Sequence, residues 1–258
     1  MMILAGAPRG CLNMHNKSIL VVLGGLLPKR VKRTVSNIVI AFHGIEAFVY
    51  KCFRRTKTFT FRGNTYQYIY SGYSRSWQNE RAVEVPIIWK TMRENRNKRI
   101  LEVGNVLSHH FRVSHDCIDK YEKNENVINE DVVTYEPSEK YDLIISISTL
   151  EHVGWDERDN VPREPFKILQ ALDHLTGMLN ANGMIIATWS VAYNTELDKL
   201  LDDNKLPFTN FYYMKRTSWN NIWIETNWEE VRDLKYNFSS LFNGSYHGNG
   251  LVIAYLLT

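Results

Sequence analysis

The stretch Tyr141–Ile147 reads Tyr-Asp-Leu-Ile-Ile-Ser-Ile, an apolar run of the kind found in a strand buried on both faces. Such a strand needs a layer on each side of its sheet, and the surrounding sequence supplies candidates. Arg99–Val103 is a short strand ending at Gly104, Asp116–Asp119 is the next, and Val127-Ile128 opens another. Pro165–Leu179 has Leu169, Leu172, Leu175 and Leu179 at helical spacing, with Gly183 expected at its C-cap and Met184–Trp189 as a further strand. This alternation predicts an α/β fold, a mostly parallel sheet covered by helices. The tail offers strands at 211–214, 223–225 and 251–256 without a helix between each.

The chain has 258 residues, room for one large α/β domain with an appendage. Hydrophobic residues make up 44% and charged residues 23%, which excludes a largely disordered chain. The formal net charge of +3 is too small to imply a nucleic-acid partner by itself. Cys11, Cys52 and Cys117 form no CxxC pair, so neither a disulfide framework nor a cysteine-rich zinc site is expected. No uncharged apolar run reaches the roughly 18 to 20 residues of a membrane span. The run Ile19–Leu27 lacks a small-residue cleavage site and runs into Lys29, Arg30, Lys32 and Arg33, so a cytoplasmic location is expected.

Residues 1–57 form an apolar and basic extension. Within it 35–53 carries apolar residues at helical spacing, flanked by basic residues on both sides. That segment reads as a helix packed on the main domain, as an amphipathic helix making peripheral contact with an anionic membrane, or as a nucleic-acid surface. Residues 58–98 read as a hairpin and helix. Thr58–Arg62 and Thr65–Tyr70 flank a Gly63-Asn64 turn, and a helix over 76–93 has Ser76 as its N-cap. Residues 99–258 hold the alternating α/β domain.

A strand that runs into a glycine at a helix start is a nucleotide site in principle, because the backbone is open and helix N–H groups are free. The dinucleotide fingerprint G-x-G-x-x-G, however, would need glycine at 106 and 109, where this chain has valine and histidine. A cofactor without phosphates does not make that demand. Asp119 ends the second strand, seventeen residues after Glu102, where a carboxylate can accept from both ribose hydroxyls. Asp131 would end the third strand and could accept from an adenine amino group.

Ile100–Gly104, the strand-end Asp119, Asn129–Asp131 and Tyr141–Val153, with its Leu-Glu-His-Val element, resemble the motif series of class I S-adenosylmethionine-dependent methyltransferases. Leu172–Thr188 is similar to the helix-loop-strand that follows in that family. The departure is the loop after Gly104, where the family usually carries further glycines. The resemblance implies a Rossmann-like fold, a seven-stranded sheet whose last strand is antiparallel, with Leu251–Leu256 as that strand. It implies S-adenosyl-L-methionine as cofactor, with Glu102, Gly104 and Asn105 facing its methionine part, Asp119 the ribose and Asp131 the adenine. Ser146 and Ser148 would line the pocket beyond the fourth strand. The implied activity is methyl transfer to oxygen or nitrogen of a small molecule or glycan. An RNA methyltransferase and a catalytically silent binding or scaffold protein are the alternatives.

A hydroxyl acceptor needs a proton removed, and His152, beside the expected pocket, is the first candidate for the base, with Glu151 second. Tyr73, Trp77, Arg81 and Trp89 precede the core and could form a lid in which Arg81 pairs with the cofactor carboxylate. His109, His110, His115 and Asp116 cluster in sequence, but adjacent histidines point different ways, and no metal site is expected.

Overall fold

A computed structural model describes residues 57–156, 162–239 and 246–258, with Phe48 and Cys52 besides. The expected N-terminal extension, including the helix and membrane contact at 35–53, otherwise lies outside the described residues. Among the described residues no helix is long and apolar enough to cross a membrane.

β1 (Thr58–Phe61) and β2 (Asn64–Gln67) form the expected hairpin, with Phe61 opposite Asn64. The turn residues are Arg62 and Gly63 rather than Gly63 and Asn64. Both have positive φ (50° and 71°), the two-residue geometry that matches strand twist. The predicted helix over 76–93 is split. A 3-10 segment covers Tyr73–Gln78, and α1 runs Arg81–Glu94. Ser76 does not cap α1. Its hydroxyl accepts from the Ser71 amide and donates to the Ile69 carbonyl, clamping the preceding turn. Pro86 sits inside α1 and leaves the Ala82 carbonyl without its helical donor; the Ile69 amide takes that place at 3.2 Å.

The main sheet comprises β3 (Ile100–Val103), β4 (Asp116–Ile118), β5 (Tyr141–Ile147), β6 (Leu179–Ser190), β7 (Asn210–Arg216), β8 (Trp223–Thr226) and β11 (Gly250–Leu257). Between them lie α2 (Lys167–Gly177), α3 (Thr195–Asp202), α4 (Trp228–Val231) and a short separate pair, β9 (Phe238–Ser239) with β10 (Tyr246–His247). The order across the sheet is β4-β3-β5-β6-β11-β7-β8. β3 pairs in parallel with β4 and β5, and β5 with β6, whereas β11 is antiparallel to both β6 and β7. The chain therefore has the Rossmann-like α/β sheet of seven strands, mostly parallel with an antiparallel last strand. Two details differ from expectation. β8 is a second reversed strand, antiparallel to β7. Val127-Ile128 gives only one parallel bridge, Ile118 to Ile128, because polar turns close in on both sides of the two apolar residues.

Alternation within the central strands builds both layers. Leu143, Ile145, Leu251 and Ile253 face α1 and the hairpin, packing with Phe59, Phe61, Val85 and Ile88. Ile144, Ile185, Val252 and Ala254 face the other way onto Ala171, Leu172 and Leu175 of α2 and Leu197 and Leu200 of α3. Residues 58–98 thus share one apolar cluster with the sheet. α2 ends at Gly177, not near Gly183, which lies within β6 as the structure draws it.

Candidate active site

From β3 the chain moves to β4 on one side and then crosses to β5 on the other, so the winding reverses between β3 and β5. In such sheets ligands bind beyond the strand C-termini at this reversal. A cleft of about 530 Å³ opens there, bounded by the ends of β3, β4 and β5.

At the end of β3, Gly104 has φ +86°, and an added Cβ would lie 2.1 Å from Thr149 Oγ1. Glycine is needed here for backbone conformation and for close contact with the segment after β5. The expected helix start is absent: only a 3-10 turn, Leu107–His109, follows. Glu102 does not face the cleft. It is fully buried, one carboxylate oxygen accepts from the Val106 and Leu107 amides (2.9 and 2.8 Å), and the other meets His115 Nε2 at 2.7 Å. Its expected contact with the methionine part is therefore replaced by a role in shaping the loop. Asn105 lines the cleft but is 3% exposed, and its side-chain Nδ2 donates to Glu122 Oε1 at 2.6 Å.

Asp119 lines the cleft as expected. Its Oδ1 accepts from the Tyr121 and Glu122 amides at 2.8 Å, and among the described residues its Oδ2 has only a long 3.4 Å contact, from the Asn105 backbone amide. That oxygen is the one left to take further donors. Asp131 also reaches the cleft, where Oδ2 stands 3.3 Å from both Lys120 and Lys167. Burial pushes its pKa up, but the Val133 amide and the two lysines outweigh that and leave it lowered.

At the end of β5, Ser146 is fully buried and its hydroxyl donates to the Val103 carbonyl, so it stands behind the cleft, contrary to expectation. Ser148 lines the cleft in a left-handed backbone conformation (φ 38°), with its hydroxyl turned to buried Glu84. Strained backbone of this kind collects at functional sites. Arg81 joins the same wall. It donates to the Ile147 and Ser148 carbonyls and lies 3.6 Å from Glu84. Of the expected lid, Tyr73 and Arg81 line the cleft, Trp77 is 1% exposed in the core, and Trp89 stacks on Phe111 elsewhere. Tyr73 stacks on His109 at 3.8 Å, His109 meets Glu122, and His115 is spent on Glu102, so these histidines point to separate places.

His152 is on the cleft wall, in the 3-10 turn after β5, and Glu151 is not. Glu151 is 3% exposed, and burial pushes its pKa up to about 7. Of the two candidate bases, then, His152 lines the cleft and Glu151 is buried behind it. His152 Nδ1 lies 2.8 Å from Asp156 Oδ1, and the Tyr193 hydroxyl donates to Asp156 Oδ2. Partial burial works against the charged imidazole, but the Asp156 hydrogen bond and the Glu151 and Asp156 charges leave its pKa raised. The sequence reading missed Asp156, although its spacing four residues after His152 was a usable signal. It also missed Glu122 and Tyr193; nothing local marks Tyr193, which arrives on the segment after β6.

Among the described residues the cleft lining carries five carboxylates, Asp119, Glu122, Glu130, Asp131 and Asp156, against two fixed cations, Arg81 and Lys120. No protein-family model and no curated protein matches the sequence. Among solved structures the chain superposes on the N-methyltransferase NodS from Bradyrhizobium japonicum WM9, crystallised with S-adenosyl-l-homocysteine, at 11% identity and a TM-score of 0.36, covering 72% of this chain and 95% of that one. It also superposes on the sugar N-methyltransferase KedS8 from Streptoalloteichus sp ATCC 53650 (10% identity, TM-score 0.33, 63% and 66% covered). A third is the 16S rRNA methylase RmtB (14%, 0.33, 69% and 64%). The fold rests on strand order and register rather than on these superpositions: a Rossmann-like α/β sheet with an acidic cleft at its reversal point.

Proposed function

We propose that the chain is an S-adenosylmethionine-dependent methyltransferase acting on a small molecule or glycan. The observation that carries this is the charge of the cleft. Five carboxylates and no helix N-terminus at Gly104 disfavour a pyrophosphate, which needs exposed backbone N–H groups and neutral or positive surroundings. The same lining suits a ligand that carries a sulfonium, an ammonium and ribose hydroxyls. It also disfavours entry of a polyanionic nucleic acid, which ranks an RNA substrate below a neutral or cationic one.

Asp119 would accept from the ribose through its lightly held Oδ2, and the Glu130–Val132 segment would flank the adenine, with Asp131 available only beside its two lysines. The backbone at Gly104 and Asn105 and the guanidinium of Arg81, which has five donors and spends two on carbonyls, would meet the methionine part. When bound, the cofactor supplies an activated methyl group for in-line displacement. The protein's part is to position the acceptor and, where required, take its proton. His152 is the group on the cleft wall able to do the second.

Calorimetry with S-adenosylhomocysteine tests the reading. Saturable binding to a single site, weakened by Asp119→Asn, supports it. Absence of binding selects a silent Rossmann-like binding or scaffold protein instead.

A further inference from the structure

We propose that Asp156 and Tyr193 fix His152 as the proton acceptor of this site, and that the atom methylated is a hydroxyl oxygen; this rests on the methyltransferase reading above. The argument starts from hydrogen-bond inventory. An ionised carboxylate can only accept. Asp156 is held ionised: burial would raise its pKa, but the hydrogen bond and charge of His152, the Tyr193 hydroxyl and the Arg163 charge bring it below the ordinary value. Both groups at its oxygens must therefore donate, His152 Nδ1 to Oδ1 at 2.8 Å and the Tyr193 hydroxyl to Oδ2. The Tyr193 hydroxyl has one proton and spends it there, so its 3.0 Å approach to His152 Nδ1 cannot satisfy that nitrogen. In the neutral ring the proton sits on Nδ1 and Nε2 is bare.

The surroundings hold this arrangement. The Tyr193 ring meets His152 edge-on at 4.9 Å and Tyr236 at 5.0 Å, so it is gripped from both sides. Among the described residues Glu151, Asp156 and Arg81 are the charged groups facing His152; the two carboxylates favour its protonated form and Arg81 opposes it. Among the described residues Nε2 has no hydrogen-bond partner, while the ring is on the cleft wall and its side chain is 46% exposed.

A braced imidazole with a bare Nε2 removes a proton during the reaction. An amine can lose its proton to bulk water and bind as the free base, so it does not require such a group. An alcohol holds its proton near neutral pH and must give it up as the new bond forms. The acceptor O–H proton passes to Nε2 while the oxygen's electron pair forms the C–O bond to the methyl carbon. The C–S bond breaks with its electron pair left on sulfur, which becomes a neutral thioether, and Nε2 later returns its proton to solvent.

The test has two arms. In ¹⁵N-histidine NMR of the ligand-free full chain, neutral His152 is expected as the Nδ1–H tautomer, with a pKa that falls in Asp156→Asn and falls less in Tyr193→Phe. A neutral Nε2–H tautomer, or a pKa unmoved by Asp156→Asn, overturns the brace. In the second arm the protein is incubated with S-adenosylmethionine carrying a ¹³C-methyl group and with cell-extract fractions, and the labelled carbon is assigned as methyl ether or N-methyl by its shift. A methyl ether is expected, formed about 10²- to 10⁴-fold more slowly by His152→Ala or Asp156→Asn, with the rising limb of the pH profile lost. An N-methyl product, or His152→Ala turnover within a few fold of the parent, overturns the hydroxyl assignment. Failure of the parent to bind S-adenosylhomocysteine sinks the methyltransferase reading and leaves the tautomer result standing by itself.

Discussion

Glu102→Ala separates two roles that the sequence cannot tell apart. In the structure this carboxylate is fully buried and holds three partners: the Val106 and Leu107 amides and His115 Nε2. Removing it leaves two buried backbone N–H groups without an acceptor, each costing about 1–3 kcal/mol. Together the two amides amount to about 2–6 kcal/mol before any contribution from His115, a large part of the roughly 5–15 kcal/mol typical of a domain. Glu102→Gln keeps an acceptor oxygen for the two amides and presents its NH2 to His115, so its cost is about 1 kcal/mol. The assay is urea unfolding of the ligand-free protein, read as a change in midpoint at constant m-value. Were Glu102 instead a ligand contact, the Ala variant would match the parent in urea within about 0.5 kcal/mol, yet lose affinity for S-adenosylhomocysteine. That pattern would refute the structural assignment.

Asp119→Asn keeps the acceptor for the Tyr121 and Glu122 amides but loses the charge at the free oxygen; calorimetry should show cofactor affinity weakened by about 1–2 kcal/mol with the fold intact. Glu151 is raised to about 7 from 4.5 by burial, so the fold prefers it neutral. Its contribution to stability is complete below the unfolded value and is lost as pH rises towards 7, by about 3 kcal/mol. Denaturation midpoints across that window should fall in the parent and fall less in Glu151→Gln, the remaining slope coming from buried Asp198, also about 7, and from Glu84, likewise raised by burial. Gly104→Ala should cost about 2–4 kcal/mol in thermal or urea unfolding, from positive φ and the Thr149 overlap. Cys117, buried and with its thiol pKa raised by burial, should resist a thiol reagent until the protein unfolds.

Much of the architecture was readable along the chain, because burial periodicity is a local property. Tyr141–Ile147 is apolar on both faces because both are covered, by α1 and the hairpin on one side and by α2 and α3 on the other, and that pattern points to an interior strand of an α/β sheet. Gly104 after β3, Asp119 after β4 and His152 after β5 follow from the strand ends, and the structure brings all three to one cleft. Long-range pairing decided the rest. Glu102 turns inward because β4 brings His115 to it and the loop after Gly104 offers two free amides, neither fixed by the spelling of β3. Ser146 is two residues before Ser148 and Glu151 is next to His152, yet Ser146 is buried inside β5 on the Val103 carbonyl and Glu151 is buried within its 3-10 turn. The Asp156 and Tyr193 brace joins residues 37 apart, and the acidity of the cleft sums carboxylates from three separate segments. A buried polar group takes its role from whichever donors and acceptors other segments carry to it, and those distances exist only once the sheet has assembled.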